Sequence, residues 1–281
     1  LLDLARRDER IVGITPAMPS GCSMNIMMRE MPERCFDVGI AEGHAVTFSA
    51  GLAAAGSRPF CNIYSSFMQR AYDNVIHDVA LQNLPVVLCL DRAGLVGEDG
   101  ATHHGTFDLV YFSCVPNMTI AAPRNEWQLR QMMYAASKME SPMVIRYPRG
   151  LGEGVEWRNT EFVDLDMRGE ELKAGSDVAI IAVGTMANVA LRAAERSTQS
   201  VAVYDLRYVK PLDTELLNNI GSRFSKVITI EDGAVRGGVG EAVAAHYARG
   251  GKTIKVVNMG IGDSFVEHGK PAELYADCAY D

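Results

Sequence analysis

Short, nearly continuous apolar runs recur along the chain, and between them apolar residues return every three to four positions. The first half holds Ile11-Val12-Gly13-Ile14, Cys35 to Gly39, Phe60 to Tyr64, Val86 to Leu90, Met118 to Ala122 and Met143 to Tyr147. Their length and β-branched content predict strands buried on both faces, and the helical stretches between them predict parallel crossovers. Ala45 to Ala55, rich in Ala and Gly, predicts a closely packed helix, and Tyr72 to Leu81 predicts another. Ser66 and Asn125 read as N-caps, because a short polar side chain there satisfies a free amide of the first turn. A second series follows: strands at Val178 to Val183, Val201 to Leu206, Lys226 to Ile230 and Ile254 to Asn258, with helices from Asn188, Asp213 and Glu241. Leu151 to Gly175 has glycines and charges but no period, which reads as a linker containing a hairpin. The expectation is an α/β protein with two successive open, mostly parallel sheets covered by helices: one unit over 1–155, a linker over 156–172 and a second unit over 173–281.

Composition narrows the class. A chain of 281 residues with 48% hydrophobic and 22% charged residues has the balance of a globular protein with room for two units. Its longest apolar runs fall far short of the roughly 20 residues that a membrane-spanning helix needs, so no membrane span is expected. With 27 basic against 35 acidic residues, the net charge of −8 argues against nucleic acid as a partner, since neutralising phosphates needs a basic face. Six cysteines without a CxxC pair suit a reducing, cytoplasmic setting. Leu1 to Arg7 lacks an initiator Met and the order of a signal peptide, and the expectation is a chain that begins partway through a longer polypeptide.

In an open parallel sheet, ligands gather beyond the carboxyl ends of the strands. Here those ends are polar: Ala41-Glu42-Gly43-His44, Tyr64-Ser65-Ser66-Phe67, Asp91-Arg92-Ala93-Gly94 and Arg146-Tyr147-Pro148-Arg149-Gly150. The loop from Gly94 to Gly105 carries four glycines and two adjacent imidazoles, more than a connector requires. Glu98, Asp99, His103 and His104 also suggest a metal site, but adjacent histidines rarely converge on one ion, and no metal ligand is assigned. Gly237-Gly238-Val239-Gly240 does not complete a dinucleotide fingerprint, since position 243 is Val, and reads as a tight turn with close helix packing. Met24, Met27, Met28 and Met31 share a helical spacing and read as core or subunit-face residues. His77 and His44 read as core or interface histidines, His104 as loop surface and Arg146 as structural.

Glu42 with His44, the run from Tyr64 to Asp73, Asp91-Arg92-Ala93-Gly94, Asp99 to His103 and Arg146 to Gly150 resemble the 1-deoxy-D-xylulose-5-phosphate synthase family, a branch of the transketolase-like thiamine diphosphate enzymes. Val209 to Asp213, Glu231-Asp232-Gly233 and Gly237 to Gly240 resemble that family's C-terminal domain. The resemblance implies condensation of pyruvate with glyceraldehyde 3-phosphate and loss of carbon dioxide, work that three domains share in the family. The diphosphate of thiamine diphosphate and its Mg2+ are held in the family by a Gly-Asp-Gly start and a later Asn, a pattern absent from these 281 residues. The chain thus resembles the pyrimidine-binding and C-terminal domains, with the missing domain and a second copy as implied partners.

By the same resemblance, Glu42 is the carboxyl group that protonates the aminopyrimidine ring and thereby starts the cofactor's chemistry. Its plain alternative is a helix-start acid favoured by the macrodipole. Phe67 stacks on the pyrimidine and Arg70 contacts it nearby, against a plain role for Phe67 in the core. Tyr64 reaches substrate through its hydroxyl. Arg92 and Arg149 hold the aldehyde's phosphate, as paired guanidinium forks can, although either alone would more often be a surface ion-pair residue. His103 moves protons near the reacting centre and Asp99 tunes it. Gly43 departs from the Gln usual at that position. Two other readings stand beside this one: the β subunit of a 2-oxo acid dehydrogenase, and a non-catalytic dimerisation module.

Overall fold

The computed structural model describes residues 1–280. Six strands run parallel in the first sheet: β1 (Ile11–Thr15), β2 (Cys35–Asp37), β3 (Arg58–Tyr64), β4 (Val87–Asp91), β5 (Thr119–Ala121) and β6 (Met143–Arg146). The second sheet holds β7 (Glu170–Lys173), β8 (Val178–Ala182), β9 (Val201–Asp205), β11 (Lys226–Ala234) and β12 (Lys255–Ile261). It is parallel except for β7, which runs antiparallel to β9. The two mostly parallel sheets are those the apolar runs predict. β1, β3, β4 and β6 are buried along almost their whole length, the condition under which unbroken apolar runs are favourable.

Two edge strands depart from the sequence reading. β10 (Tyr208–Lys210) lies in the second unit by sequence, yet it completes the first sheet, giving the order β10-β5-β6-β4-β3-β1-β2. It pairs antiparallel with β5, Tyr208 opposite Ala121 and Lys210 opposite Ile120. Three residues with a register shift carry no periodic signal, so only the neighbouring strand edge makes this a strand. β7 falls in the stretch read as linker and pairs with β9 rather than within a local hairpin. One apolar core runs through both units, from Val12 and Ile63 to Tyr204 and Val243.

Two helix starts follow the local chemistry that the sequence shows. Asn125 caps Glu126–Lys138 by accepting from the Gln128 amide at 2.9 Å, and Asp213 caps Thr214–Arg223 through Leu216 in the same way. Ser66 is not a cap: the helix begins one residue earlier, over Ser65–Met68, after extended backbone at Tyr64. Tyr72 to Leu81 does not form one regular helix, because beyond Asn74 it widens so that the Leu81 amide donates to the carbonyl of Ile76, five residues back.

Candidate active site at the carboxyl edge of the first sheet

β3, β4 and β6 are neighbours in the sheet and all end at the same edge. The sequence-predicted residues gather there as two connected groups. Glu42 is the first residue of the helix Glu42–Ala54, 5% exposed, and its Oε1 accepts from Arg70 Nη1 at 2.8 Å. The Arg70 guanidinium carbon lies 4.7 Å from the Phe67 ring centroid. Phe67 in turn meets His103 at 5.1 Å and Tyr64 at 5.6 Å, centroid to centroid. Tyr64 ends the row beneath Arg92, whose guanidinium carbon stands 3.7 Å from its ring centroid.

The second group joins the loop after β4 to the end of β6. Arg149 Nη1 donates to Asp99 Oδ2 at 3.0 Å, so Asp99 pairs with Arg149. His103 bonds instead with Thr102, whose Oγ1 lies 2.9 Å from its Nδ1. Asp91, at the end of β4, receives Arg92 Nη1 at 3.0 Å. Burial pushes the Asp91 carboxyl up, while Arg92 and Arg149 pull it down, so both arginines act on one buried acid. Arg92 takes a left-handed backbone, φ 63°, which turns the chain sharply at the end of the strand. Sequence reading gave Asp91 no role; its place at the end of a buried strand beside an arginine was the available signal.

The histidines resolve differently from expectation. His104 is not loop surface: it is 4% exposed, accepts from the Val96 amide at 3.0 Å through Nδ1, and sets Nε2 3.2 Å from the Glu267 carbonyl. That pairing satisfies two backbone groups across a tertiary contact invisible in the sequence. His77 and His44 are exposed on this chain, which sets aside the core reading but not the interface one; His77 sits over its own helix turn at Asp73, and His44 stacks on Phe48. Among the described residues no group of three His, Cys, Asp or Glu side chains is placed to hold a metal.

Behind the edge lies a buried charge network. Arg146 Nε faces both oxygens of Asp108 at 3.0 Å, and its Nη2 donates to the Asp232 carbonyl at 2.9 Å. Arg146 is structural, as the alternation along β6 predicts. The Gly237 to Gly240 turn packs closely, because Glu231 accepts from the amides of Val239 and Gly240, both at 2.9 Å. Burial pushes the Glu231 carboxyl up to about 7, against those amides and Arg146. A cavity of about 500 Å3 is lined mostly by apolar residues such as Met24, Met27 and Leu129. It touches the strand edge at Asp91 and Tyr147 but not Glu42, Phe67 or Arg149, so the conjunction of chemical groups marks the candidate site better than its volume does. No helix is long and apolar enough to cross a membrane among the described residues.

Comparison with known proteins places this arrangement. Residues 1–154 match the transketolase pyrimidine-binding domain family, and residues 168–281 match the transketolase C-terminal domain family. The chain is 58% identical over its whole length to 1-deoxy-D-xylulose-5-phosphate synthase of Bacteroides thetaiotaomicron, covering 44% of that protein. It is 47% identical to the synthase of Nitrosospira multiformis, covering 45% of it. The chain therefore spans less than half the length of these curated relatives. A solved structure described as a split-gene transketolase, an inactive beta4 tetramer, superposes with a TM-score of 0.84 at 30% identity, over 94% of this chain and 87% of that one. Transketolase of Campylobacter jejuni shares the fold, with a TM-score of 0.77 at 19% identity over 99% of this chain and 43% of its own. On the two domain matches and this likeness, the chain belongs to the transketolase family and carries its pyrimidine-binding and C-terminal domains in that order.

Proposed function

We propose that this chain supplies two domains of a thiamine diphosphate-dependent synthase that joins pyruvate to glyceraldehyde 3-phosphate, releasing carbon dioxide and forming 1-deoxy-D-xylulose 5-phosphate. The observation that carries the reading is the row from the buried carboxylate of Glu42, through Arg70, Phe67 and Tyr64, to Arg92, with Arg149 on the next strand end. The residues fit the cofactor's pyrimidine. Among the described residues only Arg70 donates to the Glu42 carboxylate, and Phe67 is part-exposed, so part of its ring is open to a heteroaromatic. When bound, thiamine diphosphate supplies the carbon nucleophile that cleaves a 2-oxo acid.

In this reading Glu42 holds the proton exchanged with the pyrimidine nitrogen, and Arg70 fixes the carboxylate and the Phe67 ring in one geometry. Phe67 orients the ring by stacking. Arg92 and Arg149 bind the aldehyde's phosphate from two strand ends, where planar forks give position as well as charge. His103, against Phe67, moves a proton at the reacting carbonyl, and Tyr64 packs the floor beneath Arg92. Asp99 acts through Arg149. The diphosphate and Mg2+ belong to a separate domain of the kind the relatives' greater length accommodates, and a cytoplasmic homodimer completes the reading.

The test is a synthase assay with pyruvate, glyceraldehyde 3-phosphate, thiamine diphosphate and Mg2+. It compares the 281-residue chain alone, the chain joined to a relative's diphosphate-binding domain, and that assembly with Glu42→Ala. Turnover only in the unsubstituted assembly is expected. Turnover on 2-oxo acids with a lipoyl acceptor and none with the phosphorylated aldehyde would replace this reading with the 2-oxo acid dehydrogenase one.

A further inference from the structure

We propose that Asp232, in the second unit, is a positioning residue that clamps the neck of the Gly94–Gly105 loop and so sets where Asp99 and His103 stand. What Asp99 and His103 do rests on the synthase reading; the clamp rests on geometry alone. Gly94 and Gly105 close the neck by donating to each other's carbonyls at 2.8 Å. Asp232 Oδ1 accepts from the Leu95 amide at 3.1 Å and from the Tyr280 hydroxyl at 3.0 Å, while Oδ2 accepts from Tyr275 at 3.0 Å. A Cβ at Gly94, where φ is +72°, would lie 1.8 Å from Asp232 Oδ2, so the loop backbone presses directly on the carboxylate.

The other side of the neck meets the same network. A Cβ at Gly105 would lie 2.5 Å from Ser65 Cβ, and Ser65 Oγ donates to Asp108 Oδ2 at 2.9 Å. Asp108 holds Arg146, and Arg146 returns to the Asp232 carbonyl, which closes a ring around the neck. Ser65, Leu95, Asp108, Arg146 and Asp232 are all buried. Buried, fully paired polar groups hold one geometry, since any shift leaves a donor or an acceptor unsatisfied. Further out, the loop rests on the second unit through His104 at Glu267 and through the Gly269 amide, 3.4 Å from the Gly97 carbonyl. The loop then reaches the site, where Asp99 meets Arg149 and His103 meets Phe67.

Hydrogen–deuterium exchange on the 281-residue chain reads the clamp directly. Asp232→Ala is expected to speed exchange of amides 95–104 by about tenfold or more, with β3, β4 and β6 within about twofold of the unsubstituted chain. Asp232→Asn, which keeps an acceptor for Leu95, is expected to restore most of the protection. Should Asp232→Ala fail to fold, Tyr275→Phe with Tyr280→Phe removes two donors at nearly constant volume, and a rise of about threefold confined to the loop is expected. In the assembled synthase, Asp232→Ala is expected to raise KM for glyceraldehyde 3-phosphate about tenfold, with KM for pyruvate within about twofold. Unchanged loop exchange in both variants, or a rise shared equally by both sheets, overturns the clamp. A loop-confined rise in an assembly without synthase turnover supports the clamp and defeats the activity reading instead.

Discussion

Arg149 and Asp99 form an ion pair at 3.0 Å between the end of β6 and the loop after β4, with both side chains about two-fifths exposed. A pair this open contributes at most about 1 kcal/mol to folding, so its weight falls on how the guanidinium is aimed.

Arg149→Ala is therefore expected to leave stability nearly unchanged. In the assembled synthase it should raise KM for glyceraldehyde 3-phosphate by about tenfold to a hundredfold, the range of a lost charged hydrogen bond. Unphosphorylated glyceraldehyde should be used equally well by both proteins. An equal penalty on both aldehydes would remove the phosphate role from Arg149.

Glu42→Gln keeps the shape of the side chain and removes its charge. Turnover is expected to fall by roughly 10²–10⁴-fold, the usual range for a general acid–base group. Its partner Arg70 is 59% exposed, so thermal unfolding should move little. A variant retaining half its turnover would return Glu42 to the plain role of a helix-start acid.

Arg146→Met strips the buried Asp108 carboxylate of its charge partner. The expected loss is about 3–5 kcal/mol in urea denaturation, because an uncompensated charge remains inside. A loss below about 1 kcal/mol would mean that the network relaxes or admits water.

Glu231 makes stability pH-dependent. Its carboxyl ionises near the ordinary value of 4.5 when unfolded and near about 7 when folded. Between those values the folded chain keeps a proton that the unfolded chain has released. The contribution is thus full below pH 4.5 and is lost as pH rises through 7, at most about 3 kcal/mol. Asp205, pushed up to about 6 by burial, adds to the same trend. Glu231→Gln is expected to flatten the fall in unfolding free energy between pH 5 and pH 8; an unaltered slope would assign the dependence elsewhere.

The sequence by itself determined every strand but β7 and β10 and most of the helices, because strands buried on both faces must be apolar throughout and caps such as Asn125 and Asp213 act within three residues. It also marked the candidate residues: Glu42, Phe67, Arg92 and Arg149 each follow the end of a parallel strand. Tertiary structure decided the rest. β10 is a strand only because β5 offers an open edge, His104 is buried only because the segment around Glu267 lies over it, and Asp99 pairs with Arg149 rather than His103. Asp108 and Asp232 gained their partners in the same way. Each depends on groups far apart in sequence meeting at hydrogen-bond distance, and periodicity and local propensity carry no record of such meetings.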